Sequence, residues 1–370
     1  PPEFFAALRL PVVSYALPAL IAIGQVRHGL RPTANPLLRA LRDRCRARTL
    51  ETLARLQPAN GGFLEATPLT SFVTMSLAAL DLTGHSVVQR GITFLEASAR
   101  PDGSWPIDTN LATWLTTLSV QALGSAPTGE TSLPSGEQTR ALRDWLLGQQ
   151  YRAKHPYTLA ASGGWAWTDL PGGVPDADDT AGALLALHRL DPEDRPVQGA
   201  AEAGLAWLLD LQNRDGGIPT FCRGWGKLAF DRSSPDLTAH AIRAWMTWRG
   251  RVQPPLQRRL EAALAQAASF LRKTQRADGA WIPLWFGHQE DAGDENPLYG
   301  TARVVPALCA LEQAGRSDVG DPLDRALHWL MARQNPDGGW SGAVGAASSM
   351  EESGLALEAP AAAWGRTGAD

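Results

Sequence analysis

Six times along this chain a helix-forming stretch stops at a polar residue, usually Gln, turns through Gly and reaches an apolar anchor. The six segments read LARLQPANGGF to Phe63, ITFLEASARPDGSW to Trp105, a longer unit ending SGGW at Trp165, LAWLLDLQNRDGGI to Ile218, FLRKTQRADGAW to Trp281 and LHWLMARQNPDGGW to Trp340. The anchors lie 42, 60, 53, 63 and 59 residues apart, which leaves room for two helices per repeat. Asp-Gly and Gly-Gly pairs supply the turns, because Gly reaches positive φ without steric cost. After each anchor a second helix opens on small or polar residues: Pro68-Leu69-Thr70-Ser71, Asp108-Thr109-Asn110, Asp176 to Thr180, Asp236-Leu237-Thr238, Tyr299-Gly300-Thr301 and Glu351-Glu352-Ser353. Bodies such as SFVTMSLAAL, ATWLTTLSVQAL and AGALLALHRL are small and apolar around much of their circumference. Such helices belong inside, and the charged, one-sided helices between them belong outside. The pattern predicts an all-α protein, an (α/α)6 barrel over residues 41–370. An apolar helical segment over 1–40 is expected to pack on it. In such a barrel the inner helix starts converge on one end of a central cavity.

The Gln and Trp of the repeats read as structural. A Gln side chain can bond the open carbonyls at a helix end, and an indole can pack against the next repeat. At 370 residues the chain can bury one large core or two ordinary ones. A net charge of −4 leaves no electrostatic footprint for nucleic acid. Charged residues make up only 19%, which suits a protein with much apolar wall. Cys45, Cys222 and Cys309 lie too far apart for a zinc or disulfide framework and read as free thiols in a reducing compartment. The apolar run Val12 to Ile23 is too short to span a bilayer and is broken by Pro18. It has no basic leader or cleavage site, so a core helix is expected, with a membrane-dipping patch as the alternative.

The chemistry centres on Asp176-Ala177-Asp178-Asp179 within PDADDTAGALLAL, three carboxylates in four residues at a helix start. Like charges at short range disfavour ionisation and hold a proton in place. A group that keeps a carboxylic proton at neutral pH can act as a general acid. Helix capping is the competing reading, since Asp is a favoured N-cap and first-turn acids suit the helix dipole.

Repeats and tetrad together resemble the squalene–hopene and oxidosqualene cyclase family, with its Gln…Gly-x-Trp repeats on α/α-barrels and its D-x-D-D acid. SGGWAWTDLPGGVPDADDTA is similar to the family's Gly-Gly-aromatic run leading into the acid motif, and PDLTAH resembles a D-V-T-A-H segment of the bacterial enzymes. The resemblance extends from the Phe63 repeat to the Trp340 repeat. It implies a class II terpene cyclase acting on a linear isoprenoid, squalene or a shorter prenyl chain. Asp178 is then the proton donor, flanked by Asp176 and Asp179. His240 would hydrogen-bond the acid cluster from the neighbouring inner helix, and Asp236 is the acidic member of the same segment. Trp167 and Trp285 match lining aromatics. Trp105, Trp114, Phe72 and Tyr299 are weaker candidates for which core packing competes, and capping competes with an acid role for Asp108.

The residue types suit that chemistry. Protonating a trisubstituted alkene needs a stronger acid than an isolated carboxylic acid of pKa about 4. An imidazole that stabilises the conjugate base supplies the difference. A migrating cation then needs a dry cavity with aromatic faces. The resemblance implies no cofactor and no metal; a D-D-x-x-D motif for magnesium-assisted ionisation is not found in the chain. Apolar substrates of this kind imply a cytoplasmic protein held peripherally at the inner membrane face.

Three family features lack a counterpart within these 370 residues: a second α-barrel, a longer loop after the fourth repeat, and an aromatic C-terminal segment. The expectation is a smaller, more open cavity or a longer parent protein. Two other functions compete. One is a protein prenyltransferase-like subunit with a zinc site of Asp, Cys and His, for which Cys222 and Cys309 lack an Asp-x-Cys context. The other is a non-catalytic lipid-binding barrel. Asp178→Asn is expected to abolish turnover with little change in stability.

Overall fold

The computed structural model describes residues 15–125, 133, 136–156, 158–221 and 229–364. Val12 to Ser14 of the apolar run, and Cys222, lie outside them. Among the described residues the regular structure is helical, with only isolated β-bridges between strandlike pairs. In chain order the helices are α1 (Leu17–Leu30), α2 (Pro36–Leu56), α3 (Thr67–Ala78), α4 (Ser86–Ser98), α5 (Ala112–Leu123), α6 (Glu137–Gly148) and α7 (Ala177–Leu190). There follow α8 (Arg195–Leu211), α9 (Pro235–Trp248), α10 (Pro254–Thr274), α11 (Pro297–Gln313), α12 (Gly320–Met331) and α13 (Met350–Ala363).

The chain divides into two compact units, residues 1–116 with 151–175, and residues 117–150 with 176–370. In the smaller unit α1 packs on α2 and α3, and α3 packs on α4. Ala22, Leu53, Phe63, Val73, Leu77, Val87 and Val88 form its core. On α1 Ala22 is buried while Leu20 and Ile23 face solvent. Among the described residues no helix is long and apolar enough to cross a membrane. In the larger unit α7, α9, α11 and α13 pack side by side in chain order, with α8, α10 and α12 behind them. This is the alternation the repeats predict. The run Thr180–Leu187 of α7 and the whole of Pro235–Ile242 of α9 are buried, as a helix apolar on all sides requires.

The repeat punctuation has a specific physical meaning. At the ends of three outer helices the Gln amide donates to two carbonyls, one in its own turn and one on the following outer helix. Gln57 bonds Gly61 O (2.9 Å) and Val87 O (3.1 Å). Gln212 bonds Gly216 O (2.8 Å) and Ala263 O (3.0 Å), and Gln275 bonds Gly279 O and Pro322 O (both 2.8 Å). In the longer unit Gln150 reaches Ala200 O at 2.9 Å. The turn glycine is required twice over. Gly216 sits at φ 93°, and a Cβ there would meet Gln266 O at 2.4 Å on the next outer helix.

The anchor residue is tied forward to the inner helix. Its amide donates to a hydroxyl in that helix's first turns: Phe63 to Thr70 (3.0 Å), Ile218 to Thr238 (2.9 Å), Trp281 to Thr301 (3.1 Å) and Trp340 to Ser353 (2.9 Å). This is why the inner helices open on small hydroxyl residues. Trp105, Trp281 and Trp340 each donate back to a carbonyl ten residues earlier on their own outer helix, at 2.8–2.9 Å. One opening differs from expectation: α5 begins at Ala112, capped by Asn110, whose Oδ1 accepts the Ala112 amide at 2.8 Å. Asp108 bridges Ala66 instead of capping, and burial raises its carboxyl.

Candidate active site

The tetrad forms the first turn of α7. Asp176 takes extended backbone as the N-cap, and its Oδ1 accepts the Asp179 amide at 2.9 Å. The helix start is pinned from outside by Ala177 N, which donates to Thr220 O at 2.9 Å. The capping reading of the tetrad holds for Asp176. Asp176 caps, while Asp178 turns away from the capping bonds and meets His240 Nδ1. His240 stands on α9, two turns from a start at which Ser234 Oγ donates to Asp236. From α11, Arg303 brings Nη2 to 3.4 Å from His240 Nδ1 and 3.9 Å from Asp178 Oδ1. Asp176, Asp179, Asp236, His240 and Arg303 are all buried, and the Asp178 side chain keeps 14% of its surface exposed.

Charge divides the four carboxyls into two kinds. Burial pushes Asp176 up to about 7, against the hydrogen bonds of the helix start. Burial and the negative neighbours Asp176 and Asp178 carry Asp179 well above the usual carboxylate range. Burial likewise moves Asp236 up to about 6, with Asp178 adding to it and Ser234 opposing. Asp176 Oδ2 and Asp179 Oδ1 have no hydrogen-bond partner among the described residues. Asp178 goes the other way. Burial would raise it, but the charges of His240 and Arg303 and the imidazole bond outweigh burial and hold it below its ordinary value. Burial keeps His240 below its own ordinary value despite Asp178. Burial also works against the Arg303 cation, yet Tyr299, Asp178, Glu358 and Asp236 hold it firmly charged. Of the four carboxyls, Asp178 is the strongest acid, and its conjugate base is the one that the site stabilises.

Aromatic residues flank this cluster in the same unit. Trp285 Nε1 donates to Thr220 Oγ1 at 2.8 Å, so one threonine serves both the α7 start and this indole. Phe230 stacks on Trp285 with centroids 3.8 Å apart, covering one face of the indole. Tyr299, on α11, stacks on Phe286 at 4.2 Å. The other expected residues belong to the smaller unit. Trp167 accepts the amides of Thr113 and Trp114 through its carbonyl, at 3.0 and 3.2 Å. Trp105 is 53% exposed and Phe72 39% exposed, so neither is a core residue. Among the described residues no group of three His, Cys, Asp or Glu side chains has the geometry to hold a metal ion.

Arg303 escaped the sequence reading. Its signal was a single cation inside PLYGTARVVPAL, an inner-helix segment otherwise without charge. Arg243 was also missed; it pairs with Glu358 at 3.0 Å.

Known proteins match this chain over much of its length. The model of the squalene-hopene cyclase C-terminal domain family matches residues 110–367. A terpene cyclase-glycosyl transferase fusion protein, fsoA of Humicola fuscoatra, is 32% identical over 286 residues, 69% of this chain and 21% of that protein. The squalene–hopene cyclase of Alicyclobacillus acidocaldarius is 28% identical over 322 residues, 78% of this chain and 46% of that one. Drimenyl diphosphate synthase of Streptomyces showdoensis is 31% identical over 281 residues, 65% of this chain and 47% of that one. The chain thus spans between about a fifth and about half of these relatives. The family model covers the tetrad, the His240 segment and the Arg303 helix alike, and the chain belongs to the squalene–hopene cyclase C-terminal domain family.

Proposed function

We propose that this chain carries the initiating site of a class II terpene cyclase, with Asp178 as the general acid. The supporting observation is the contact of Asp178 with His240, backed by Arg303, among three carboxyls whose hold on a proton is raised by burial. In the reaction the Asp178 O–H bond breaks as its proton joins the terminal alkene carbon of a linear isoprenoid. The π electrons form the new C–H bond and leave a tertiary cation. Successive alkenes attack that cation and close rings, until loss of a proton or capture of water ends the cascade. An apolar substrate lying against Asp178 covers its remaining exposed edge. Desolvation favours the neutral carboxylic acid, so substrate binding itself charges the donor with its proton.

Aromatic faces stabilise such a cation by about 0.5–2 kcal/mol each. Trp285 offers one face, since Phe230 occupies the other. Tyr299 and Asp236 border the same cluster. Relatives named for squalene–hopene and for drimenyl diphosphate support a linear isoprenoid substrate, squalene or a shorter prenyl chain. The same proposal includes a six-repeat barrel over 41–370 with a helical segment over 1–40. It also includes peripheral attachment to the inner face of the membrane from which such apolar chains are drawn.

The test is incubation of the detergent-purified protein in D2O with squalene and with farnesyl and geranylgeranyl substrates. The expected products are cyclic, carry one new deuterium and disappear in Asp178→Asn. No cyclic product from any chain length refutes the proposal.

A further inference from the structure

On α9 every residue is buried except Arg243, Met246 and Thr247, which at i, i+3 and i+4 share one face of the helix. That face is the one its neighbours leave open, since α9 packs between α7 and α11 and is backed by α8 and α10. Asp236 and His240 lie on the same line, seven and three residues before Arg243. Arg243 pairs at 3.0 Å with Glu358 of α13, a helix that packs on α11 and α12. The two side chains keep 21% and 40% of their surface exposed. Their link therefore runs along the inner side of the helix row, across α11 and past the acid.

Charge is sorted along that inner side. At the helix starts stand Asp176, Asp178 and Asp179 on α7, Asp236 on α9, Tyr299 on α11 and Glu351 on α13. His240 and Arg303 come next, then Arg243 with Glu358, and Arg189 stands at the end of α7. At the helical rise Arg243 lies about 10 Å beyond Asp236, and Arg189 about 16 Å beyond Asp178. Building on the donor role of Asp178, we propose that Arg243 binds the anionic head group of a short prenyl substrate whose terminal alkene meets Asp178. Arg189 adds positive charge farther along, while its own donors hold Gly124 O and Ser125 Oγ.

At the level of Arg243 positive charge is in excess. Burial and the charges of Arg303 and Arg189 pull Arg243 below its ordinary value, although Glu358 opposes them. A second anion at this level relieves that repulsion. One Glu358 oxygen meets the guanidinium, whose fork of donors matches phosphate and carboxylate oxygens. Glu358 is the more exposed partner and can yield its place to a ligand. A pure hydrocarbon such as squalene offers no such exchange. It would strip water from Arg243 and Glu358 without pairing either. It would also place a guanidinium beside the carbocation it becomes, whereas an anionic head neutralises that guanidinium. The separation of Arg243 from Asp178 then fixes how far along the chain the head must lie.

The test is binding, which needs no turnover. Protein in non-ionic detergent is titrated by calorimetry with farnesyl diphosphate, farnesol and squalene. Wild type is expected to bind the diphosphate roughly tenfold or more tightly than the alcohol, a preference that shrinks as salt is raised. Arg243→Gln should lose roughly tenfold or more in diphosphate affinity and leave farnesol affinity unchanged. Arg243→Gln combined with Glu358→Gln removes both charges, leaves neither unpaired, and should show the same loss if the single variant folds poorly. Equal wild-type affinities for diphosphate and alcohol overturn the proposal, with no variant needed. A diphosphate preference that survives both substitutions also overturns it. Head-dependent binding without cyclic product would uphold the head-group site and remove the cyclase reading. Squalene or farnesol cyclised as fast as farnesyl diphosphate would keep that reading and overturn the head-group site.

Discussion

Replacing Asp236 by Asn removes a carboxyl that burial holds at a pKa of about 6, against about 3.9 for an ordinary Asp. The change keeps an oxygen able to accept the Ser234 hydroxyl. A raised folded-state pKa means that the native protein binds more protons than the unfolded chain between the two values. Stability from this group is therefore complete below about pH 4 and is lost as pH rises through about 6. The shift corresponds to on the order of 3 kcal/mol at full ionisation, at about 1.4 kcal/mol per unit. Asparagine mimics the protonated form at every pH. The Asp236→Asn protein should match wild type near pH 4 and exceed its stability by on the order of 2–3 kcal/mol at pH 8. Urea unfolding at both pH values, followed by far-ultraviolet circular dichroism, measures the difference. Equal stabilities at pH 8, or a gap as large at pH 4, would refute the picture of a carboxyl kept protonated by burial beside Asp178.

Asp178→Asn should have the opposite sign, since this carboxyl is held below its ordinary value. Beyond losing deuterium transfer, it is expected to lose about 1–3 kcal/mol at pH 7, because Arg303 and His240 are left buried without their anion; the deficit fades as pH falls below about 4, where the wild-type group protonates too. This revises the expectation of unchanged stability, and a melting curve equal to wild type at pH 7 would contradict it. Gln212→Leu strands the carbonyls of Gly216 and Ala263 and should cost about 2–4 kcal/mol in urea unfolding. Gln334→Leu, whose exposed amide bonds Gly338 O, should cost under about 1 kcal/mol. Trp285→Leu removes a cation-facing ring and the bond to Thr220. Turnover should fall roughly 2- to 30-fold with deuterium incorporation retained, read as early-terminated products by gas chromatography.

The spacing of Gln, Gly and aromatic residues made the helix alternation legible, because each repeat carries its own stop signal. PDADDTAG and PDLTAH pointed to Asp178 and His240 because both acids and the imidazole sit in recognisable helix starts. The division of labour inside the tetrad was implied only by the family resemblance and was not legible in the residues themselves. Asp176, Asp178 and Asp179 differ only in what surrounds them, and that is a property of α9 and α11 rather than of the motif. Arg303 was hidden for the same reason. A lone cation in an apolar helix has no periodicity, and its meaning comes from His240, 63 residues away. Asp108 was misread as a cap because Asp and Asn are equivalent cap formers in sequence, and Asn110 stands two residues closer to the helix.

Gln57, Gln212 and Gln275 each hold carbonyls on two successive repeats, so the repeats they join share the bonds that keep them shut. Opening one would expose backbone acceptors on its neighbour as well, and the array breathes in coupled steps rather than module by module. Gln334 differs: its amide is exposed and bonds Gly338 O within its own turn. Amide protons there should exchange with solvent ahead of those near Gln212 and Gln275, which makes that turn the thread from which the fold unravels.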